Sequence, residues 1–290
     1  MKTIVQQDQN LFRLPDGRHI SYAVYGNSQG KPVFFFHGIP GSRLQRNPDL
    51  SIFEELPILI YALDRPGYGD SDFQPGRRLL DLPDDLLAFA RGNRIEQFAV
   101  VGVSGGGPYA LACARKIPEN LTKAIIISSL APLQTQTLAA FPPGARLLFS
   151  SAKNTPLLLR FVFNLFFKTF KIPISTAFQK FMTELPPADK ALFSRPEIQR
   201  LFKDDVAQAF RQGTRGVVAD ISILSQPWGF CLQDIQSPVE IWHGVEDTIV
   251  PIQLAHFNAH LIPCAQTHFI EAEGHFMGIQ RSKQIFEQIV

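Results

Sequence analysis

The chain alternates short, continuous apolar runs with longer segments of mixed polarity. Runs of four to six apolar residues, separated by helix-length segments, predict buried strands at 33–36, 58–63, 98–103, 124–127, 239–242 and 267–270. Strands of this kind are typical of an α/β fold, in which a mostly parallel sheet is covered by helices on both faces. A further strand at 20–25 follows the turn Pro15-Asp16-Gly17 and predicts a hairpin at the start of the sheet.

The middle of the chain has a different hydrophobic pattern from the two ends. Residues 131–230 contain no convincing strand-like run, and their helix-like segments are interrupted by prolines. We therefore expect a core formed by residues 1–130 and 231–290, with residues 131–230 inserted as a helical cap.

Composition and charge narrow the classes of function. The 290 residues include 28 Lys and Arg against 26 Asp and Glu, and a net charge of +2 gives no reason to expect a nucleic-acid partner. No apolar run approaches the roughly 18 residues that span a bilayer, and the N-terminus lacks the apolar segment of a secretory signal. The chain has three scattered cysteines, Cys113, Cys231 and Cys264, which argues against disulfides and against a cysteine zinc site. We therefore expect a cytoplasmic protein without metal or cofactor.

One serine has the local context of a nucleophile. Gly102-Val103-Ser104-Gly105-Gly106 fits the pattern G-x-S-x-G, directly after a predicted strand and directly before a helix-like segment. A sharp strand-to-helix turn lifts a serine hydroxyl out of the sheet edge, and glycines relieve the crowding that the turn causes. The alternatives are a glycine-rich turn with an incidental serine and a phosphate-binding loop, although no lysine follows the glycines.

A second glycine-containing loop, His37-Gly38-Ile39-Pro40-Gly41-Ser42, follows the strand at 33–36. If Ser104 attacks a carbonyl, this loop is placed to supply one backbone N–H of an oxyanion hole, from Ile39, paired with the N–H of Gly105. We expect His37 to hold the loop by hydrogen bonding rather than to act as a base.

The chain resembles the α/β-hydrolase-fold superfamily in five motifs that follow one another in the family's order. Two of them are the loop at residues 37–41 and the serine motif at residues 102–106. The other three are Asp64-Arg65-Pro66-Gly67-Tyr68-Gly69-Asp70-Ser71, His243-Gly244-Val245-Glu246-Asp247 with Pro251, and Gly274-His275. The resemblance implies a serine hydrolase with a helical cap between the sixth and seventh strands. It also implies a catalytic triad of Ser104, Asp247 and His275, because the family's chain order is serine, acid, histidine. The family pattern favours Asp247 over the adjacent Glu246.

The inserted block has an unusual composition. It holds 13 of the 25 phenylalanines, and Asp and Glu are absent from Asn120 through Thr183 whereas Lys and Arg occur seven times there. We expect either a cap that lines an apolar pocket, with a cationic outer face able to contact a membrane surface, or phenylalanines that simply pack the cap onto the core.

The expected function is hydrolysis of a small or medium apolar carboxylic ester through an acyl-enzyme on Ser104. Cleavage of another acyl bond stays open: an amide, a thioester, a carbon–carbon bond or an N-terminal proline peptide. The last of these would use an acid such as Glu184, Asp189 or Glu197 to bind the substrate amine. A slow-turnover sensor of small ligands on the same fold is the alternative from another class. The oligomeric state stays open.

Overall fold

The structure is a computed structural model that describes residues 4–155, 158–159, 161–162, 165, 182–263 and 265–290. These residues form one eight-stranded sheet in the order β1-β2-β4-β3-β5-β6-β7-β8. Its strands are Ile4–Arg13 (β1), His19–Asn27 (β2), Lys31–Phe36 (β3), Ile58–Leu63 (β4), Phe98–Val103 (β5), Leu121–Ile127 (β6), Val239–Gly244 (β7) and Ala265–Ile270 (β8).

The sheet is mixed but mostly parallel. The β1–β2 and β2–β4 pairs are antiparallel, whereas all pairs from β4 to β8 are parallel. The predicted strands and the predicted hairpin at the start of the sheet are therefore confirmed. The pattern did not show β1, because this edge strand is largely polar.

Helices connect the strands and cover the sheet. The α-helices of the described residues are Ile52–Glu55 (α1), Leu82–Gly92 (α2), Gly107–Lys116 (α3), Thr135–Ala139 (α4), Pro143–Asn154 (α5), Pro187–Phe193 (α6), Pro196–Ala209 (α7), Arg215–Ser225 (α8), Ile252–Leu261 (α9), Met277–Gln280 (α10) and Ser282–Glu287 (α11). Several begin with proline in the first turn, where the missing N–H costs no helical hydrogen bond.

The run Val33-Phe34-Phe35-Phe36 shows why the strands are continuously apolar. Phe34 and Phe36 pack into the larger core, which includes α2, α3 and α9, whereas Val33 and Phe35 pack into the core that includes α1 and α11. Since successive side chains of a strand point to opposite faces, a sheet covered on both faces needs apolar residues at every position.

Helices α4 to α7 lie between β6 and β7 in the chain and are consistent with a cap; we call them the cap helices. The part of the cap between 166 and 181, like Cys264, lies outside the described residues. The predicted boundaries at 130/131 and 230/231 remain predictions.

Candidate active site

Ser104 occupies a tight turn between β5 and α3. Its φ angle of 53° lies in the left-handed region that non-glycine residues rarely adopt. A side chain at Gly102 would clash with the carbonyl oxygen of Gly106, and one at Gly106 would clash with the carbonyl oxygen of Phe36. The strand and the helix can approach this closely only because both positions lack a Cβ atom. The turn thus holds the Ser104 backbone in a strained conformation at the carboxyl edge of the sheet.

A buried carboxylate and a buried imidazole meet at the same edge, after β7 and β8. The His275 Nδ1 atom lies 2.7 Å from the Asp247 Oδ2 atom. The other carboxylate oxygen, Oδ1, accepts hydrogen bonds of 2.8 Å from the backbone N–H groups of Ile249 and Val250. Glu246 is exposed, so burial as well as geometry separates the two neighbouring acids.

The electrostatics of this pair suit a general base. Burial opposes charge on Asp247, but attraction to His275 and hydrogen bonds from both His275 and His243 hold the pKa of that carboxyl well below its usual range. Burial likewise opposes the His275 cation, yet the Asp247 carboxylate raises the pKa of the imidazole above its ordinary value. A proton held on Nδ1 by the carboxylate leaves Nε2 free to accept one.

The loop after β3 lies against Ser104. A Cβ atom added to Gly38 would be 3.5 Å from the Ser104 Cβ atom, and one added to Gly105 would clash with the Ile39 side chain. The N–H of Gly38 donates a 2.6 Å hydrogen bond to the Gln45 side chain. Gln45 carries no sequence signal for this contact, so the pattern missed it.

Hydrogen bonds fix His37 as a neutral structural residue. Its Nδ1 atom lies 2.8 Å from the Gly38 carbonyl oxygen, and its Nε2 atom lies 3.3 Å from the backbone nitrogen of Arg65, which donates to it. Burial, with the positive charge of Arg65, holds the pKa of His37 well below its ordinary value. This arrangement agrees with the expectation that His37 holds the loop.

A buried ionic network holds the backbone of the loop after β3. The Arg65 guanidinium donates to the carbonyl oxygens of His37 and Gly38, and its Nε atom donates a 2.7 Å hydrogen bond to Asp220 on α8. Asp220 also accepts hydrogen bonds from Arg77 and, at 2.6 Å, from the Tyr109 hydroxyl group on α3. The network therefore connects the loop after β3 with α8 and with the helix that follows Ser104.

An apolar cavity of about 190 Å³ opens beside Ser104. Ile39 and Gly105 line it next to the serine, and the inner face of α5 forms part of its wall. The remaining lining residues are apolar and come from both the core and the cap helices: Leu130, Phe141, Ala145, Leu148, Phe149, Ile221, Ile249 and Val250.

The three cap acids considered for binding a substrate amine lie elsewhere. Glu184 and Glu197 are exposed, and Glu197 pairs with Arg195 at 2.8 Å. Asp189 is fully buried, but its carboxylate accepts hydrogen bonds from the backbone N–H groups of His275 and Phe276. None of the three lines the cavity beside Ser104.

Among residues 4–155, 182–263 and 265–290 and the few described positions between them, no three His, Cys, Asp or Glu side chains cluster as metal ligands would. In the same part of the chain, no helix has the length and apolarity needed to cross a bilayer.

Comparison with known proteins identifies the class. The family model of the alpha/beta hydrolase fold matches residues 31–282, so the chain belongs to the alpha/beta hydrolase fold family. The chain is 26% identical over 248 residues, 83% of either protein, to the bifunctional esterase/perhydrolase DCH of Acinetobacter calcoaceticus. The resemblance found in the sequence is thereby confirmed.

Solved structures agree on the fold. A hydrolase from Pseudomonas aeruginosa PA01 superposes with a TM-score of 0.71 at 15% identity, with 97% of each chain covered. The esterase EaEST from Exiguobacterium antarcticum gives a TM-score of 0.69 at 18% identity, again over 97% of each chain. The protein is thus an alpha/beta hydrolase with esterase and perhydrolase homologues.

Proposed function

We propose that the protein is a serine hydrolase that cleaves a small or medium apolar carboxylic ester. The observation that carries the proposal is a serine with a left-handed backbone that lines an apolar cavity, at the sheet edge that also holds the buried Asp247–His275 pair. The esterase/perhydrolase relative supports the same reaction class.

In this mechanism the Ser104 hydroxyl group attacks the ester carbonyl while His275 Nε2 takes its proton. Asp247 keeps the other proton on Nδ1 and stabilises the imidazolium. The N–H groups of Ile39 and Gly105 hold the oxyanion, and His275 returns the proton to the departing alcohol. Water, activated by His275, then cleaves the acyl-enzyme and restores Ser104.

The apolar lining of the cavity favours a substrate with an apolar acyl group. The part of its wall that the described residues form consists of aliphatic and phenyl side chains and offers no charged partner, so a charged acyl group would lose its hydration without compensation. The same observation weighs against removal of N-terminal proline, because a substrate ammonium group would find no carboxylate among the described lining residues. Cleavage of a thioester, a carbon–carbon bond or an uncharged amide would require the same machinery.

The first prediction concerns the nucleophile. Ser104→Ala is expected to lower kcat for p-nitrophenyl acyl esters about 10⁴-fold or more, because a triad loses most of its rate when the nucleophile is removed. A fluorophosphonate should label the unaltered protein at Ser104 and fail to label the variant. Full activity of Ser104→Ala would refute the mechanism.

Ser128→Ala is the matched control for this experiment. Ser128 follows the neighbouring strand β6 with a φ angle of 46°, and its buried hydroxyl group has no hydrogen-bond partner among the described residues. We expect this variant to keep its turnover and labelling. Labelling of Ser104 with negligible turnover on esters, thioesters and amides of every length would instead favour the slow-turnover ligand sensor.

We further propose that the outer face of the cap contacts an anionic lipid surface. Leu158, Phe161, Val162 and Leu165, at helical spacing, are 50% to 64% exposed, and Leu147 on α5 is 69% exposed. This apolar outer face lies within the 64-residue stretch, 120–183, that holds seven cations and no acid. A face of this kind combines apolar insertion with attraction to lipid phosphates.

The second prediction tests the lipid contact by co-sedimentation with vesicles. The protein should bind vesicles of phosphatidylcholine with phosphatidylglycerol more tightly than pure phosphatidylcholine, and salt should weaken the binding. Phe161→Ser together with Leu158→Ser should lower the affinity about tenfold, since each side chain loses apolar contact with lipid. Leu11→Ser, at a residue 62% exposed on β1, should bind as the unaltered protein does. Equal binding to both vesicle types, or concentration-dependent dimers with no vesicle binding, would contradict the proposal.

The proposed cytoplasmic location rests on cysteine usage. Cys113 and Cys231 are both free thiols, and burial raises the pKa of Cys113 so that it acts as a small apolar core residue.

A further inference from the structure

Asp189 is a fully buried carboxylate of the cap that hydrogen-bonds the backbone of the His275 loop. Its Oδ2 atom accepts a 2.8 Å hydrogen bond from the N–H of His275, and its Oδ1 atom accepts a 3.1 Å hydrogen bond from the N–H of Phe276. The two partners lie 86 and 87 residues further along the chain. Both oxygens act as acceptors, as they do in an ionised carboxylate.

The residue before the histidine is shaped around this contact. A Cβ atom at Gly274 would clash with the Asp189 carboxylate and would approach Pro186 Cγ to 2.6 Å. Glycine at 274 therefore lets the cap carboxylate reach the amide groups directly. The Gly274-His275 pair, which the sequence presents as a loop motif, is in the structure also the contact site of Asp189 from the cap.

Aromatic packing strengthens the attachment of α6 to the same loop. Phe193 on α6 and Phe276 meet edge to face with ring centroids 4.8 Å apart, and Phe202 on α7 completes the cluster at 5.1 Å from Phe193. Leu192 is buried in this cluster as well. The position of α6 is thus coupled to the residue that follows His275.

We propose that Asp189 is a positioning residue for His275: it fixes the backbone of the histidine loop against the cap, and its negative charge stabilises the imidazolium that forms during acyl transfer. The proposal rests on the proposed function of His275 as the base. It implies that displacement of α6 from the core would misplace the base even with Asp247 intact.

Charge around His275 comes from several elements. Among the described residues the charged and titratable groups are His243 at the end of β7, Asp247 in the loop after β7, Asp189 on α6, and the ion pair of Glu273, in the histidine's own loop, with Arg281, directly before α11. Asp247 raises the pKa of His275 most, against the opposing effect of burial, and Asp189 raises it further. Removing the charge of Asp189 should therefore lower the pKa of His275.

The third prediction compares three variants of the protein. Asp189→Asn should lower kcat about 100-fold, because one carboxylate oxygen becomes an NH2 group, which cannot accept the hydrogen bond of the N–H that faces it, and the base shifts from its place. KM should change little, since Asp189 does not line the cavity. The acid limb of the pH–rate profile should move to lower pH. The midpoint of the His275 imidazole titration, followed by NMR, should move in the same direction. The His275→Asn variant identifies the NMR signal of His275.

Two further variants separate position from charge. Leu192→Ala should lower the midpoint of thermal unfolding by loosening α6, and it should shift the pKa of His275 less than Asp189→Asn does, because the carboxylate keeps its charge. Asp189→Glu should keep that pKa raised while losing kcat, because its oxygens are displaced by one methylene. An unchanged pKa and kcat in Asp189→Asn, an equal pKa shift in Leu192→Ala, or full kcat in Asp189→Glu would overturn the proposal. If the unaltered protein neither turns over esters nor reacts with the phosphonate, the proposed function fails, but the NMR titration still decides whether Asp189 acts on His275.

Discussion

At the scale of single residues, Asp220 accepts hydrogen bonds from Arg65, Arg77 and Tyr109 although no sequence motif includes it. It lies on α8 at 0% exposure and compensates the buried guanidinium groups of Arg65 and Arg77. Burial opposes its charge, but the two arginines hold its pKa well below the usual range. Since Arg65 in turn binds the carbonyl oxygens of the loop beside Ser104, one carboxylate supports both stability and the site.

The fourth prediction is that Asp220→Ala lowers the free energy of unfolding by about 3–5 kcal/mol, because it leaves two arginines buried without a counter-charge. The ester hydrolysis rate should fall as well, since Arg65 is no longer held under the loop. Urea unfolding followed by fluorescence measures the effect. The control is Asp234→Ala, which removes an exposed carboxylate 3.8 Å from Arg115 and should cost less than about 0.5 kcal/mol. Similar losses in both variants would contradict this account of Asp220.

Single residues also show where reasoning from sequence stops. Asp247 could be chosen over Glu246 because the family pattern places the acid there, and the structure finds only the former buried. Asp189 was considered as a ligand for a substrate amine, whereas its carboxylate is occupied by two backbone N–H groups. Nothing in the local sequence of a helix indicates which distant amide its carboxylate will meet.

At the scale of elements, the turn from β5 to α3 depends on the absence of side chains. The strand-to-helix context was predicted from the apolar run and the glycines around Ser104, and β5 and α3 confirm it. The φ angle of Ser104 and the clash that a side chain at Gly106 would cause with β3 appear only in three dimensions.

The fifth prediction compares two glycine variants. In Gly106→Ala the new methyl group would clash with the carbonyl oxygens of Phe36 and His37, which belong to rigid backbone. We therefore expect the free energy of unfolding to fall by about 3 kcal/mol. The rate of ester hydrolysis should fall as well. In Gly144→Ala on α5 the methyl group meets no atom within 4 Å, so stability should stay equal or rise by about 1 kcal/mol. Thermal unfolding and initial rates measure both. Equal stability of the two variants would show that the turn is not limited by crowding.

At the scale of the whole molecule, the cap and the core build the site together. The cavity beside Ser104 takes its walls from both, and Asp189 and Asp205 attach cap helices to loops of the core. Asp205 is fully buried on α7 and accepts 2.7 Å and 2.6 Å hydrogen bonds from the Ser42 backbone and hydroxyl groups; burial raises its pKa to about 7. The described phenylalanines of the insertion agree with both expectations, since Phe141 and Phe149 line the cavity while Phe193 packs the cap onto the core.

The sequence by itself determined every strand of the sheet except β1, the α/β class, the order of the motifs and the family, because apolar periodicity and glycine turns are local properties. It also proposed Ser104, Asp247 and His275 as the reacting groups. Only the tertiary structure decided which carboxylate meets His275 Nδ1, which cap acid holds its loop, and which network carries the loop beside Ser104. These contacts join residues 27 to 155 positions apart, and their strength comes from burial and charge compensation that exist only once the chain has folded.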